Sequence, residues 1–384
     1  MKRLIPYISL YLIACTPGIV SAQDSSHLRI SLLTCSPGEE LYATFGHSAF
    51  RVTDSSSVTD IVYNYGTFNF DEKGFYIKFM RGNLLYYVSA QNFYDFKNDY
   101  QADNRGITEQ VLNLSPAEKT SIQHFLNNNL KEENKYYKYD FFFDNCTTRL
   151  RDIIKMNHDT ACCNKAVMPN GTTFRQAIHE YLDRNGQAWS KLGIDVLMGL
   201  HCDARMTPEQ MEFLPDNLMK SFDSSLTPAP LILSKQNLYP FDPLINKSGP
   251  FSPLLVFTIL LLGIVGIGFF KNRTSAVFLH GFDGLLFFFT GITGILIILM
   301  WGGRDDTMCR DNLNILWALP THVVVAFFIN SRKAWVRKYF GFTTILMIIV
   351  LASWYFLPQQ MNNELNPLLL LLTFRSYRRW QPRV

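Results

Sequence analysis

The 384-residue sequence predicts an exported α+β domain followed by an all-α membrane domain of about five transmembrane helices. Three observations carry that expectation. The chain is 48% hydrophobic and 14% aromatic but only 18% charged, against about 25% charge in ordinary soluble domains. The apolar excess lies after residue 250, in long uncharged runs. Finally, an export pattern opens the chain, and alternating runs characteristic of strands follow it.

Lys2 and Arg3 form a basic start, residues 4–14 an apolar core, and Val20-Ser21-Ala22 a small-residue cleavage site, giving a signal peptide over residues 1–22. Leu12-Ile13-Ala14-Cys15 also has the form of a lipobox, which would leave Cys15 lipidated as the first mature residue. A catalytic-size α+β unit is expected over 23–157. Residues 28–33 alternate as a short strand and Ser36-Pro37-Gly38 is a turn. Residues 43–53 and 60–65 pair as a hairpin around Asp54-Ser55-Ser56-Ser57. Residues 68–87 are aromatic and strand-like, broken at Gly74 and Gly82. Ser115, Pro116 and Glu118 start a helix with a capping box, running to about Asn129. Residues 136–143 form an aromatic strand or extended approach, and helical spacing resumes from Thr147.

Residues 158–249 read as a helical extension and linker. Thr172 or Thr173 caps one helix, residues 189–200 form another, and Thr207-Pro208-Glu209 opens a third. The proline-containing stretch 224–253 reads as a connector. The membrane domain, 250–384, has apolar stretches at 253–270, 276–301, 313–329, 340–357 and 365–374, the last about half the usual spanning length. It can extend through Tyr377 with its arginines snorkelling.

Charge sets the expected orientation. Residues 250–384 hold 12 Lys+Arg against 5 Asp+Glu, and residues 1–249 hold 24 against 27. The excess cations follow spans one, three and five, whereas residues 358–367 after span four carry none. That alternation places the N-terminal domain outside and the C-terminus in the cytoplasm. Loop 302–312, with two arginines and three aspartates, opposes it mildly. No basic aromatic-lined face points to nucleic acid. Intramembrane polar groups need a reason. His280, Asp283, Asn312, Asn314 and His322 are either interfacial or line a cavity open to the exported face; Asn312 and Asn314, beside Asp311, fit the cavity better.

Cys35, Cys146, Cys162, Cys163 and Cys202 fall in the exported part, an odd number in an oxidising compartment. A disulfide from Cys162 or Cys163 to Cys202 fits their neighbourhood. The histidines are scattered and no Cys-x-x-Cys pair exists, so neither a metal nor another cofactor is expected. Cys146 ends an extended run and opens a helix, whose orphan N–H groups favour a thiolate. Those groups and the Asn145 side chain are candidates to hold an oxyanion. His47, in Gly46-His47-Ser48, lies in a strand whose alternation puts Phe45, His47 and Ala49 on one face, a rigid setting for a base. The alternative is a core histidine and a buried helix-start cysteine.

Leu32-Leu33-Thr34-Cys35-Ser36-Pro37-Gly38, Gly46-His47-Ser48, Tyr63-Asn64-Tyr65-Gly66-Thr67-Phe68 and the run from Tyr139 through Asp144-Asn145-Cys146-Thr147-Thr148-Arg149 together resemble the exported domain of the Bacteroidota lipoprotein N-acyltransferase (Lnb) family. Asn312-Leu313-Asn314-Ile315-Leu316-Trp317-Ala318-Leu319-Pro320 extends the resemblance into the membrane part. The resemblance implies a circularly permuted papain-like domain, with Cys146 as nucleophile and His47 as base. Asn64 is the expected orienting group for the imidazole, with Tyr63 pointing away. Arg51 and Arg149 are candidate phosphate-holding residues or structural ion pairs, and Asn312 and Asn314 candidate substrate contacts. The implied activity moves an acyl chain from a membrane phospholipid, through a Cys146 thioester, to the α-amine of a diacylated lipoprotein, at the inner membrane. The competing readings are a membrane-anchored cysteine peptidase or amidase and a non-enzymatic sensor or scaffold.

Overall fold

The structure, a computed structural model, describes residues 26–158, 165–225, 229–240, 249, 251–270 and 272–382. The expected signal peptide, Cys15, Cys162 and Cys163 lie outside the described residues.

The N-terminal part is an antiparallel sheet with helices on both faces. Its elements in order are β1 (Leu28–Cys35), β2 (His47–Asp54), β3 (Thr59–Thr67), α1 (Phe75–Met80), β4 (Leu85–Asn92), α2 (Phe93–Ala102), β5 (Ile107–Leu112), α3 (Pro116–Asn129), β6 (Tyr136–Lys138) and α4 (Cys146–Asn157). Next come α5 (Phe174–Arg184), α6 (Ala188–Leu197), α7 (Pro208–Met211), α8 (Pro215–Ser224) and β7 (Ile232–Tyr239). The seven strands lie in the order β6-β4-β3-β2-β1-β5-β7. Period-two alternation sorts the side chains of β1 and β2. Ile30, Leu32, Phe50 and Val52 pack on one face with Ile122 of α3, Leu150, Ile153 and Ile154 of α4, and Leu218 and Phe222 of α8. Leu33, Cys35 and Ala49 meet Val62, Ile107 and Phe96 of α2 on the other.

The expected hairpin is present: Asp54 pairs with Thr59, and the Asp54 carboxylate accepts from the Ser56 N–H at 2.8 Å inside the turn. Ser115 caps α3 in the expected capping box, and Thr173 and Thr207 cap α5 and α7 likewise. Four differences have physical causes. The second strand starts at His47, not 43, because residues 41–43 form a 3-10 turn and Phe45 turns away to stack against Phe141. The aromatic run 68–87 contains α1, which buries Phe75 but turns Tyr76, Ile77, Phe79 and Met80 outward and so shows no buried helical pattern. β5 and α2 were not anticipated. The expected connector contains β7, which pairs with β5; mostly solvent-exposed, this edge strand has no alternation to read.

The C-terminal part is helical: α9 (Pro253–Ile267), α10 (Arg273–Gly303), α11 (Thr321–Ala326), α12 (Ala334–Ser353) and α13 (Asn366–Trp380). Among the described residues α10 and α12 are long and apolar enough to cross a membrane. At 31 residues, α10 is about 46 Å long, beyond the ~30 Å hydrocarbon core. The expected third span, 313–329, is not one helix. A 3-10 turn at Leu313–Leu316 is followed by a separate α11, because Pro320 donates no N–H and the Asn312 and Asn314 side chains draw the backbone into polar contacts. This broken segment packs closely on α10: a Cβ on Gly294 would sit 1.9 Å from the Ala318 carbonyl oxygen.

α13 runs past the expected stretch to Trp380, but Arg375 and Arg379 do not snorkel. Both bind the fully buried Asp283 of α10, Arg375 bidentately at 2.6 and 2.9 Å. Asp283 is thus neither interfacial nor cavity-lining. His280 is half-buried, and His322 is buried with Nδ1 2.7 Å from the Tyr339 hydroxyl.

Candidate active site

Two elements deliver the principal groups. Cys146 is the first residue of α4, and α4 packs across β2 and β3. The N-cap is unusually complete. Asn145 Oδ1 accepts from the N–H groups of Thr147 (2.8 Å) and Thr148 (2.9 Å), and the Thr148 hydroxyl accepts from the Asn145 N–H at 2.8 Å. Asn145 Nδ2 donates to the Phe141 and Phe213 carbonyls at 2.7 and 2.8 Å. Both amide hydrogens are therefore used, so the Asn145 side chain has none for an oxyanion. Its work is to lock the helix start, and the Cys146 N–H stays outside the cap.

His47 opens β2 and shares its face with Ala49, while Phe45 lies before the strand. The imidazole and the Cys146 thiol interact by charge and a side-chain hydrogen bond. His47 Nε2 lies 3.2 Å from Asn64 Oδ1 on the neighbouring strand β3, in an environment where Asn64 is buried. An amide oxygen only accepts, so Nε2 carries a hydrogen and Nδ1 is left for the sulfur. Tyr63 points the other way, donating to Asn127 Oδ1 at 2.7 Å.

Electrostatics favour an ion pair. Burial pushes the Cys146 thiol up, but the His47 charge and hydrogen bond, the Ser48 backbone N–H and the Thr147 hydroxyl outweigh it, lowering the thiol to about 7. Burial alone would lower His47; the facing sulfur and Asn64 raise it above its ordinary value. Cys35 shows the contrast: burial drives its thiol up to about 12, so it stays neutral. Cys146 is half-buried, while Cys35, Cys202 and Cys309 are buried free thiols. The Cys202 thiol is free and contacts the Met308 carbonyl; its expected disulfide partners, Cys162 and Cys163, lie outside the described residues.

Several groups near the sulfur were missed. Gly66 adopts φ +89°, and a Cβ there would lie 3.5 Å from Cys146 Cβ and 3.6 Å from the Tyr139 ring. The Thr147 hydroxyl, 3.7 Å from Sγ, also bonds Ser48 Oγ at 3.2 Å. The sequence cues were the placement of Ser48 after His47 and Thr147 after Cys146, and the presence of Gly66 and Tyr139 in the runs that carry the family resemblance.

Four other expected contacts lie elsewhere. Arg51 binds Asp60 bidentately and Glu109 at 3.1 Å, with its guanidinium stacked on Phe93. Arg149 binds Asp144 bidentately and stacks on Tyr137. Both are structural ion pairs. Asn312 Nδ2 donates to the Val196 carbonyl at 2.8 Å and Asn314 Nδ2 to the Asp195 carbonyl at 2.9 Å, so both amides are engaged in joining the two parts of the chain. Among the described residues no group of three or more His, Cys, Asp or Glu is placed to hold a metal ion.

Residues 19–180 match the family model described as the Lnb N-terminal periplasmic domain. Residues 245–380 match the one described as the Lnb transmembrane domain. No curated protein and no solved structure matches the chain.

Proposed function

The chain belongs to the Lnb family, with a periplasmic N-terminal domain and a transmembrane domain, and from that premise we propose that it is a lipoprotein N-acyltransferase working through a cysteine thioester. One observation carries the reading: a thiol lowered to about 7 faces an imidazole whose far nitrogen is held by Asn64. The order of parts, a histidine strand before a cysteine helix, supports a permuted papain-like arrangement for the domain. Its attachment to transmembrane helices supports substrates that carry acyl chains.

In the first half-reaction the Cys146 thiolate attacks an ester carbonyl of a membrane phospholipid. The carbonyl electrons move onto oxygen, and the Cys146 N–H at the start of α4 is the donor assigned to that oxyanion. The carbon–oxygen bond to glycerol then breaks. His47 gives its Nδ1 proton to the departing alkoxide, releasing lysophospholipid and leaving an acyl thioester. In the second half the α-amine of a diacylated lipoprotein's N-terminal cysteine attacks the thioester. His47 takes a proton from the amine, the carbon–sulfur bond breaks, and the thiolate returns as the amide forms. The proposal includes five spans, an inner-membrane location and a cytoplasmic C-terminus, an orientation that would leave the thiol on the side where diacyl lipoproteins emerge.

The test is intact-mass analysis of the full-length protein in phospholipid vesicles. The unsubstituted chain is expected to gain one acyl mass that hydroxylamine removes, and Cys146→Ser to gain no hydroxylamine-labile mass. Lipoproteins that remain triacylated when Cys146→Ala is the sole copy would overturn the proposal.

A further inference from the structure

An aromatic track starts at the sulfur. Tyr139, whose ring meets Gly66 beside Cys146, stacks on Tyr86 with centroids 4.2 Å apart. Tyr86 contacts Phe68 at 5.1 Å, and Phe68 contacts Phe70 at 4.7 Å and Phe75 at 6.0 Å. Tyr42 closes the far end against Phe68 and Phe70 at 6.4 and 6.3 Å.

The track ends on a surface that water does not favour. Tyr42, Phe70, Tyr76, Ile77, Phe79 and Met80 are all exposed. Four of them belong to the six-residue α1, which contains Lys78, ion-paired with Glu72, and is flanked by Lys73 and Arg81. Apolar side chains beside cations are the makeup of a helix lying in a membrane interface. The position of α1 agrees. The Arg304 guanidinium, directly after α10, donates to the Phe79 carbonyl at 3.0 Å and the Met80 carbonyl at 3.4 Å. Gly82 abuts Arg304 and Asp306, and Lys138 binds Asp305 at 2.6 Å. α1 is thus tied to the end of a helix long enough to cross a bilayer, just beyond Trp301.

We propose that α1 dips into the outer face of the bilayer and that Tyr42, Phe68, Phe70, Phe75, Tyr86 and Tyr139 bind the acyl chain of the donor phospholipid on its way to Cys146. The inference rests on the acyltransferase reading for its occupant. Geometry selects the donor: the attacked carbonyl carbon is the first carbon of the transferred chain, so that chain must start at the sulfur, where the track starts. The acceptor's own chains are separated from its amine by several bonds.

The test uses the full-length protein in phosphatidylethanolamine/phosphatidylglycerol vesicles containing a phospholipid with a mid-chain diazirine. After irradiation, crosslinked peptides are expected across residues 68–86 and at Tyr139. Ile77→Asp, at an exposed position that folding tolerates, is expected to lower crosslinking there by about fivefold or more. Crosslinks confined to α9–α13 on the unsubstituted chain would overturn the track, whatever the variant does. A Cys146 thioester without crosslinks at 68–86 rejects the track and keeps the acyltransferase. Crosslinks there without a thioester retain the lipid track and reject the acyltransferase.

Discussion

A thiol and an imidazole in contact titrate as a pair, and the charged pair exists only between the two apparent pKa values. The thiol here is lowered to about 7 and the imidazole raised. Thiolate is therefore gained as pH rises through about 7 and lost below it. The rate of Cys146 alkylation by iodoacetamide is expected to climb between pH 6 and 8 with an inflection near 7. In His47→Ala the opposing burial is left unbalanced, and the inflection should move upward by one unit or more; an unmoved profile would show that the imidazole does not set the thiol's acidity. The individual residues were legible: a cysteine at a strand-to-helix boundary, a histidine in a strand, and an asparagine on the next strand. Their contact was not, because 99 positions separate His47 from Cys146 and sequence spacing carries no distance across a sheet. Asn145 shows the converse. Its type suggested an oxyanion donor, but residue type does not reveal how many of its hydrogens the local carbonyls have already taken.

At the scale of one element, α4 matters for where it starts. Its sulfur is held at one point because Asn145 joins four backbone groups from α4, the Phe141 turn and the Phe213 segment. Asn145→Ala removes an N-cap worth about 1–2 kcal/mol, which corresponds to roughly 2–8 °C in melting temperature for a domain of this size. Differential scanning fluorimetry in detergent checks it, and an unchanged melt would show that the cap bears no load. Caps were the most legible features of the elements, since Ser115, Thr173 and Thr207 each announce a helix through local chemistry. The least legible were α1, β7 and the broken third span. α1 exposes most of its apolar side chains, β7 is an exposed edge strand, and the third span has apolar composition but a backbone drawn into tertiary polar contacts. In all three, burial departs from what composition alone implies.

For the whole molecule the decisive feature is a polar weld between the periplasmic and transmembrane parts. Arg175, fully buried, binds Asp195 at 2.8 Å, Asp203 at 2.8 Å and the Gly199 carbonyl at 2.9 Å. The other Asp195 oxygen accepts from Asn362 Nδ2 at 2.9 Å, and Gln359 Nε2 reaches the Met198 carbonyl at 3.1 Å. Asn312 and Asn314 complete the joint. A weld of this kind fixes how the N-terminal domain sits on the helices of the C-terminal part. Asp195→Ala leaves the buried Arg175 with Asp203 as its remaining carboxylate, so the cost is below the ~3–5 kcal/mol of a fully unpaired buried charge, but it also removes the link to Asn362. Asp195→Ala is therefore expected to lower the melting temperature markedly and to make the N-terminal domain sensitive to trypsin while the transmembrane helices stay protected. Equal trypsin resistance in both parts would mean that the joint does not depend on Asp195.

From the residues alone came the apolar blocks of the C-terminal part, the helix caps, the first hairpin, and the side-chain types on which the proposed acyl transfer rests. These are local properties, written in charge, periodicity and capping chemistry over a few neighbouring positions. Tertiary structure alone decided that His47, Asn64 and Cys146 meet, that Arg51, Arg149 and Asn145 are already occupied, and that Asn312, Asn314 and Asp283 bind other parts of the chain. A polar side chain's role depends on which partners saturate it, and those partners arrive from distant segments only when the chain has folded.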